Sequence, residues 1–194
     1  HIMAGNVATL AGFNDLADWG ADSIRVGVGG GSICSTRIVT GHGIPTLQSV
    51  LDCSRSDREA MLIADGGIKQ TGDVVKAIAA GADMVMLGSM LAGTDESPGE
   101  TFYVDGVKSK AYRGMASAAA QIDWRGHVAS EEGVSHRVTA KGAVSNILKS
   151  IEKALRSGMS YTGAKSLSEF RAKADIVKIT QASLLESRPH ILQG

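Results

Sequence analysis

"MLIADGGIKQTGDVVKAIAAGADMVMLGSM", residues 61–90, contains the smallest unit from which the fold can be read. It opens with a short apolar run that stops at Asp65-Gly66-Gly67. "TGDVVKAIAAGAD" then carries apolar residues at helical spacing, and "MVMLGSM" is a second apolar run that stops at Gly88-Ser89. Apolar strands of this length, joined by one amphipathic helix, predict a parallel βαβ unit. Upstream the alternation repeats. "TLQSVLDCSRSD" reads as a helix with Pro45 beside its first turn, "SIRVGV" as a strand, "LAGFNDLADWGAD" as a helix and "HIMAGNV" as a strand. In the first of these helices by position, Leu10, Phe13, Leu16 and Ala17 lie at helical spacing. "GAD" at 20–22 and again at 81–83 closes a helix before a strand, an echo two βα units apart. The order βαβαβαβ predicts an α/β fold with a parallel sheet.

Downstream the pattern changes. "GTDESPGE" reads as a loop, and "TFYVDGVKSKAYRGM" as a β-hairpin turning at Asp105-Gly106. "QIDWRGHVASEEGVSHRVTAKG" reads as a long polar insertion. Residues 101–142 are too long for a passive connector, so they predict a hairpin followed by a mobile flap. "AVSNILKSIEKALRSGMSYTG" predicts a helix with Ile147, Leu148, Ile151, Ala154 and Leu155 on one stripe, ending at Gly158. "SLSEFRAKA" predicts a short helix with Ser166 and Glu169 as a capping box. "DIVKIT" predicts a last short strand, followed by an irregular tail.

Composition narrows the class. The 194 residues suffice for one sizeable core, and 43% hydrophobic content suits a packed protein. Twenty basic and twenty acidic residues cancel, which argues against a broad nucleic-acid or anionic-membrane surface. No apolar run approaches the roughly 18 residues of a membrane span, and the first residues read as a strand rather than a signal peptide. Cys34 and Cys53 fit no CxxC or Cys/His metal spacing and point to a reducing, cytoplasmic setting. Glycine, at 24 residues, is above average usage, while three prolines exclude a linker composition.

Each strand ends in a polar residue or glycine: Asn6, Gly27, Asp65-Gly66-Gly67 and Gly88-Ser89. In parallel α/β folds this is the end where sites form. The N–H groups of Gly66-Gly67 and Gly88-Ser89 suit a phosphate and equally suit ordinary turns. Asp65 is either a ligand contact or the cap of the next helix. "GVGGGSICSTR", residues 27–37, sets Cys34 in a glycine-rich loop among Ser32, Ser35, Thr36 and Arg37. Cys34 is then either a small apolar filler or a nucleophile, and positive charge with loop N–H groups would favour its thiolate. Cys53, inside a helix, reads as packing.

"MAGNVAT", "GGGSICSTRIVTGHGIPTLQSV", "IADGGIKQTGDVVKAIAAGADMVMLGSMLAGTDESPGE" and "AYRGMAS" resemble the IMP dehydrogenase / GMP reductase family. "EEGVSHRVTAKG", "RSGMSYTGAKSLSEFRAKADIVKIT" and "LESRPH" extend the likeness over nearly the whole chain. The resemblance implies a (β/α)8 TIM-barrel type fold. It implies a cysteine that bonds covalently to C2 of a purine nucleoside 5′-monophosphate, with NAD or NADPH as hydride partner, in purine nucleotide metabolism. It also implies a homotetramer. Carried over residue by residue, Cys34 matches the nucleophile. Ser32, Asp65, Gly67, Gly88, Ser89 and Tyr112 match contacts to ribose and phosphate. Gly114 and Met115 match backbone contacts to the purine, and Glu132 the residue that reads its N1. Gly29, Gly31 and Cys34 match carbonyls that hold potassium. Asn6, Arg25 and Gly27 match the edge of the hydride-transfer site, and Thr36 a threonine that activates the water or the leaving amine.

The sequence departs from the family pattern in three ways. Only four βα units are legible, where a whole barrel has eight and about 250 residues. The expectation is therefore that residues 1–194 form part of a single catalytic barrel domain, with no CBS regulatory domain. The flap "AAAQIDWRGHVASEEG" is short and lacks the Arg-Tyr pair whose arginine activates water in the dehydrogenases. Arg125 is the candidate substitute. "LESRPH" has Arg188 where the dehydrogenases have a histidine. Motif count favours IMP dehydrogenase and, because it draws on more of the chain, makes that the narrowly expected activity. The compact flap favours GMP reductase, with Glu131 pairing with Thr36 to release ammonia. A chain that only binds nucleotide weakly is the third reading.

Overall fold

The structure is a computed structural model that describes residues 1–129 and 131–189. Four short strands, β1 (Met3–Val7), β2 (Ser23–Val26), β3 (Met61–Asp65) and β4 (Met84–Met86), form one parallel sheet in the order β1-β2-β3-β4. Sequential order without a reversal is the arrangement of a barrel arc; a doubly wound sheet would show a switch point. The connecting helices are α1 (Leu10–Asp18), the single turn α2 (Thr36–Val39), α3 (Thr46–Cys53) and α4 (Thr71–Ala79).

Alternation along the strands divides the sheet into two faces. Ile24, Val26, Leu62 and Ala64 are buried with Phe13, Val50, Cys53 and Ala77 of the helices, and this is the main core. The residues between them form the other face. In register, Met3 lies beside Ser23 and Met61, Gly5 beside Arg25, Ile63 beside Met84 and Asp65 beside Met86. Met3, Met61 and Met84 are about half exposed there. Arg25 and Asp65 lie on this same face, toward the strand ends that carry the polar residues.

A second sheet follows. β5 (Thr101–Val104) and β6 (Val107–Arg113) form the expected hairpin, and Asp105 and Gly106 both have positive φ, 51° and 79°, as a type I′ turn requires. The polar insertion is more regular than the sequence suggests. It forms α5 (Ala118–Arg125), capped by the Ser117 side chain, and β7 (Ser135–Thr139), which pairs antiparallel with β6.

Several expectations fail at the C-terminal side. Helix α6 (Val144–Thr162) does not stop at Gly158; it ends at Gly163, which adopts the left-handed conformation with φ 63°. Gly158 answers a packing need instead: a Cβ there would lie 2.7 Å from Val75 Cγ1 and 3.5 Å from the Phe170 ring. Ile151, Leu155 and Met159 of α6 pack on α4 around Phe170, while Leu148 on the expected stripe is half exposed. Residues 175–180 form no strand; Thr180 instead caps α8 (Gln181–Glu186), a helix in the stretch expected to be irregular. Between them, α7 (Leu167–Lys173) opens with Ser166 accepting from the Glu169 N–H. The Glu169 carboxylate accepts from Lys165 N–H, one residue earlier than a capping box requires.

Candidate active site

The loop after β2 is held against the turn after β3 by glycines. A Cβ on Gly27 (φ +142°) would lie 2.0 Å from the Asp65 carbonyl oxygen, and one on Gly66 (φ +92°) 2.9 Å from the Gly30 carbonyl carbon. Only glycine allows both the conformations and the approach. The loop therefore stacks on Asp65-Gly66 and presents Cys34, which is exposed, just before α2. Residues 132–134 add an edge to it: Ser35 N–H donates to Glu132 O at 2.9 Å, Val134 N–H donates to Ile33 O at 3.0 Å, and Cys34 faces Gly133.

This bridge brings three side chains into line. The Cys34 thiol donates to Thr36 Oγ1 at 3.1 Å, and the Thr36 hydroxyl donates to Glu132 Oε2 at 2.7 Å. A proton leaving the sulfur thus has a path through one hydroxyl to a carboxylate. Thr36 pairs with Glu132 and not with Glu131, the partner expected from the sequence. The backbone pairing of 132–134 with the cysteine loop turns Glu132 toward α2, and Glu131 is exposed.

A polar cluster lies beside the cysteine. Asp65 Oδ2 accepts from Arg25 Nη2 at 2.7 Å, from Arg25 Nε at 3.1 Å and from Asn6 Nδ2 at 2.7 Å, and Asn6 Nδ2 also donates to Gly27 O at 2.8 Å. None of these bonds uses Asp65 Oδ1. Asp65 does not cap the next helix, for Asp73 does so. On the opposite wall Tyr112 comes from β6, with its hydroxyl 3.4 Å from Ser32 Oγ and 3.0 Å from where a Gly88 Cβ would be.

These groups surround one cleft of about 650 Å³. Asn6, Arg25, Gly27, Gly29, Gly31, Cys34, Thr36, Asp65, Gly88, Tyr112, Gly114, Met115 and Glu132 all line it. Ser32 reaches it through Tyr112. Gly67 lines a neighbouring cleft of about 340 Å³ with Thr46 and Lys69, and Ser89 follows Gly88 in the next turn. Arg125 does not line the cleft. It ends α5 with its guanidinium over the ring of Trp124, 4.1 Å from the centroid. Sequence reasoning missed Arg113 and Gly133, which do line it. Arg113 is ion-paired to Asp123 of α5 at 2.5 Å, and Gly133 is the residue opposite Cys34. The "YRGM" and "EEG" motifs mark both, but no spacing rule brings them to the cysteine.

Cys53 is the packing residue its helical position suggests. It is 1% exposed, and burial, with the Asp52 carboxylate nearby, pushes its thiol up to about 11. Among the described residues no group of three or more His, Cys, Asp or Glu side chains could hold a metal ion. An alkali cation would rest on main-chain oxygens. Of the three expected, Gly31 O accepts from Cys34 N–H at 3.2 Å, and the carbonyls of Gly29 and Cys34 accept no hydrogen bond among the described residues.

Consecutive parallel βα units with a cysteine loop and a carboxylate at the strands' C-terminal ends define a barrel-type α/β domain with its site at that end. Residues 1–190 match the IMP dehydrogenase / GMP reductase domain, and the chain belongs to this family. It is 45% identical to inosine-5′-monophosphate dehydrogenase of Nitrosopumilus maritimus (strain SCM1), over 98% of this chain and 43% of that protein. It is 48% identical to GMP reductase of Leishmania major, over 97% of this chain and 41% of that one. Its fold superimposes with a TM-score of 0.93 on GMP reductase from Trypanosoma brucei in complex with guanosine 5′-monophosphate, at 47% identity, covering 97% of this chain and 40% of that one. The chain thus spans about two fifths of the length of these relatives. The relatives are thus named as a dehydrogenase of inosine 5′-monophosphate and as GMP reductases.

Proposed function

We propose that the protein reduces a purine nucleoside 5′-monophosphate at C2, in the GMP reductase direction, through a covalent bond from Cys34. The observation that carries this reading is the Cys34–Thr36–Glu132 chain. The Cys34 sulfur adds to C2 of GMP, and its proton passes by way of Thr36 toward Glu132. The same relay returns a proton to the 2-amino group, which leaves as ammonia, and a planar thioimidate on Cys34 remains. A reduced nicotinamide dinucleotide, when bound, supplies the hydride that C2 accepts as the C–S bond breaks, giving IMP. Covalent capture divides one difficult displacement into two easier steps. Asp65 Oδ1 is available to accept from the ribose hydroxyls, and Ser32, Tyr112, Gly88 and Ser89 would contact the phosphate, with Gly67 reaching it from the adjoining cleft. Asn6, Arg25 and Gly27 would border the nicotinamide. The carbonyls of Gly29, Gly31 and Cys34 would hold a potassium ion that keeps the loop in shape. The homologues' lengths support a whole barrel as the working unit.

The dehydrogenase direction needs a base that activates water. Arg125 does not line the cleft, and the guanidinium groups that do, Arg25 and Arg113, are ion-paired to Asp65 and Asp123. "YRGM" and the dehydrogenase relatives still speak for that direction, so the test runs both reactions on the intact protein. NADPH oxidation with GMP, with ammonia released in equal amount, is the expected result. NADH formation from IMP, stimulated by potassium and lost in Arg125→Ala, would reverse the assignment.

A further inference from the structure

The turn after β4 is built from one side by lysines of the second sheet. Gly88 O accepts from Leu91 N–H and Ala92 N–H, both at 3.0 Å, which closes the turn. The N–H groups of Ser89 and Met90 have no acceptor among the described residues. The carbonyls of the same two residues are taken: Lys141 Nζ donates to Ser89 O at 2.5 Å and to Met90 O at 3.3 Å. Lys141 lies just beyond β7, and its backbone fixes it there, with its own N–H on Gly93 O at 2.8 Å and the next carbonyl, Gly142 O, accepting from Asp95 N–H at 2.9 Å. Further along, the buried Lys110 of β6 donates to Thr94 O, Asp95 O and Ser97 O at 2.7–3.0 Å. Two ammonium groups therefore cap the carbonyls of one short segment, and neither of them is spent on a carboxylate there.

A cation on a carbonyl oxygen polarises the whole peptide group and strengthens its N–H as a donor. The peptide between Ser89 and Met90 carries the Lys141 ammonium on its oxygen and an unpaired N–H at its other end. That is the arrangement suited to an anion on the N–H side. We propose that Lys141 is a positioning residue for a phosphate-binding turn at Ser89–Met90: it holds and polarises the peptide that meets a phosphate monoester. This rests on the reading above, in which Gly88 and Ser89 contact the nucleotide's phosphate.

The test compares binding of GMP with binding of guanosine to the intact protein by calorimetry, in the wild type, Lys141→Met and Lys141→Arg. A charged-donor contribution predicts that Lys141→Met weakens GMP binding about tenfold, changes guanosine binding less than about twofold, and that Lys141→Arg restores most of the loss. Lys141→Gln keeps N–H donors for the same carbonyls without the charge; it carries the comparison, with the same phosphate-selective loss expected, if Lys141→Met does not fold. Equal weakening of GMP and guanosine, or no weakening, overturns the role of Lys141 while leaving the nucleotide reading intact. A wild type that binds guanosine as well as GMP overturns the phosphate turn itself, and Lys141 with it.

Discussion

Cysteine reactivity separates the two thiols of this chain in a way that can be measured directly. Cys34 is exposed and bonded to Thr36, whereas Cys53 is sealed in the core with its thiol raised to about 11. A thiol reagent near neutral pH should therefore modify Cys34 and leave Cys53 intact in the folded protein, as peptide mass mapping will show. GMP should protect Cys34, and modification of Cys53 at a comparable rate would contradict the burial. The glycine loop, Asp65 and the strand-end glycines were legible because their chemistry is local: a bare backbone beside a thiol, a carboxylate at a strand end. The partner of Thr36 was not. Glu132 lies 96 residues away, and choosing it over the identical Glu131 depends on which way the backbone of residues 132–134 turns when it pairs with the cysteine loop. Arg125 was proposed for the same reason in reverse, since composition shows an arginine in the flap but not where α5 carries it.

At the scale of the elements, the parallel units were readable because each has its own periodicity, its own breaks and a helix start. Helix α4 shows how much one such start contributes. The Asp73 carboxylate accepts from Lys69 and Gln70 N–H groups and pairs with Lys76. Partial burial opposes its ionisation, but these N–H groups and the Lys76 ammonium outweigh it and hold its carboxyl below the ordinary 3.8. Asp73→Ala should cost about 1 kcal/mol in urea unfolding. A lowered folded value means the unfolded chain binds the proton more tightly. The cap's contribution is therefore full above pH 3.8 and fades as pH falls through the lower folded value. Asp73→Asn should flatten that part of the stability curve, and an unchanged acid limb would refute the cap's share. What misled was context supplied by neighbours. Gly158 has the look of a helix stop, yet Val75 and Phe170 require it inside α6. Residues 175–180 have strand composition yet form no strand, and β7 exists because β6 offers its free side to a polar stretch.

On the scale of the whole molecule, the two sheets meet at the cleft. The parallel sheet supplies Asn6, Arg25, the cysteine loop and Asp65, while β6 supplies Tyr112 and the connections before and after α5 supply Met115 and Glu132. Neither sheet alone contains the Cys34–Thr36–Glu132 chain, so it forms only when residues 132–134 are seated on the cysteine loop. The family and the barrel-type fold follow from the whole chain, whereas the direction of the reaction depends on this one junction. The most direct measurement is single-turnover ammonia release from GMP by the intact protein carrying Thr36→Ala, Glu132→Gln and both together. Proton relay through one path predicts that each single change slows release by about 10²–10⁴-fold and that the double variant is no slower than the slower single one. Glu131→Gln and Arg125→Ala should leave the rate nearly unchanged. Multiplying losses in the double variant, or ammonia release that survives Glu132→Gln and collapses in Glu131→Gln, would contradict the account.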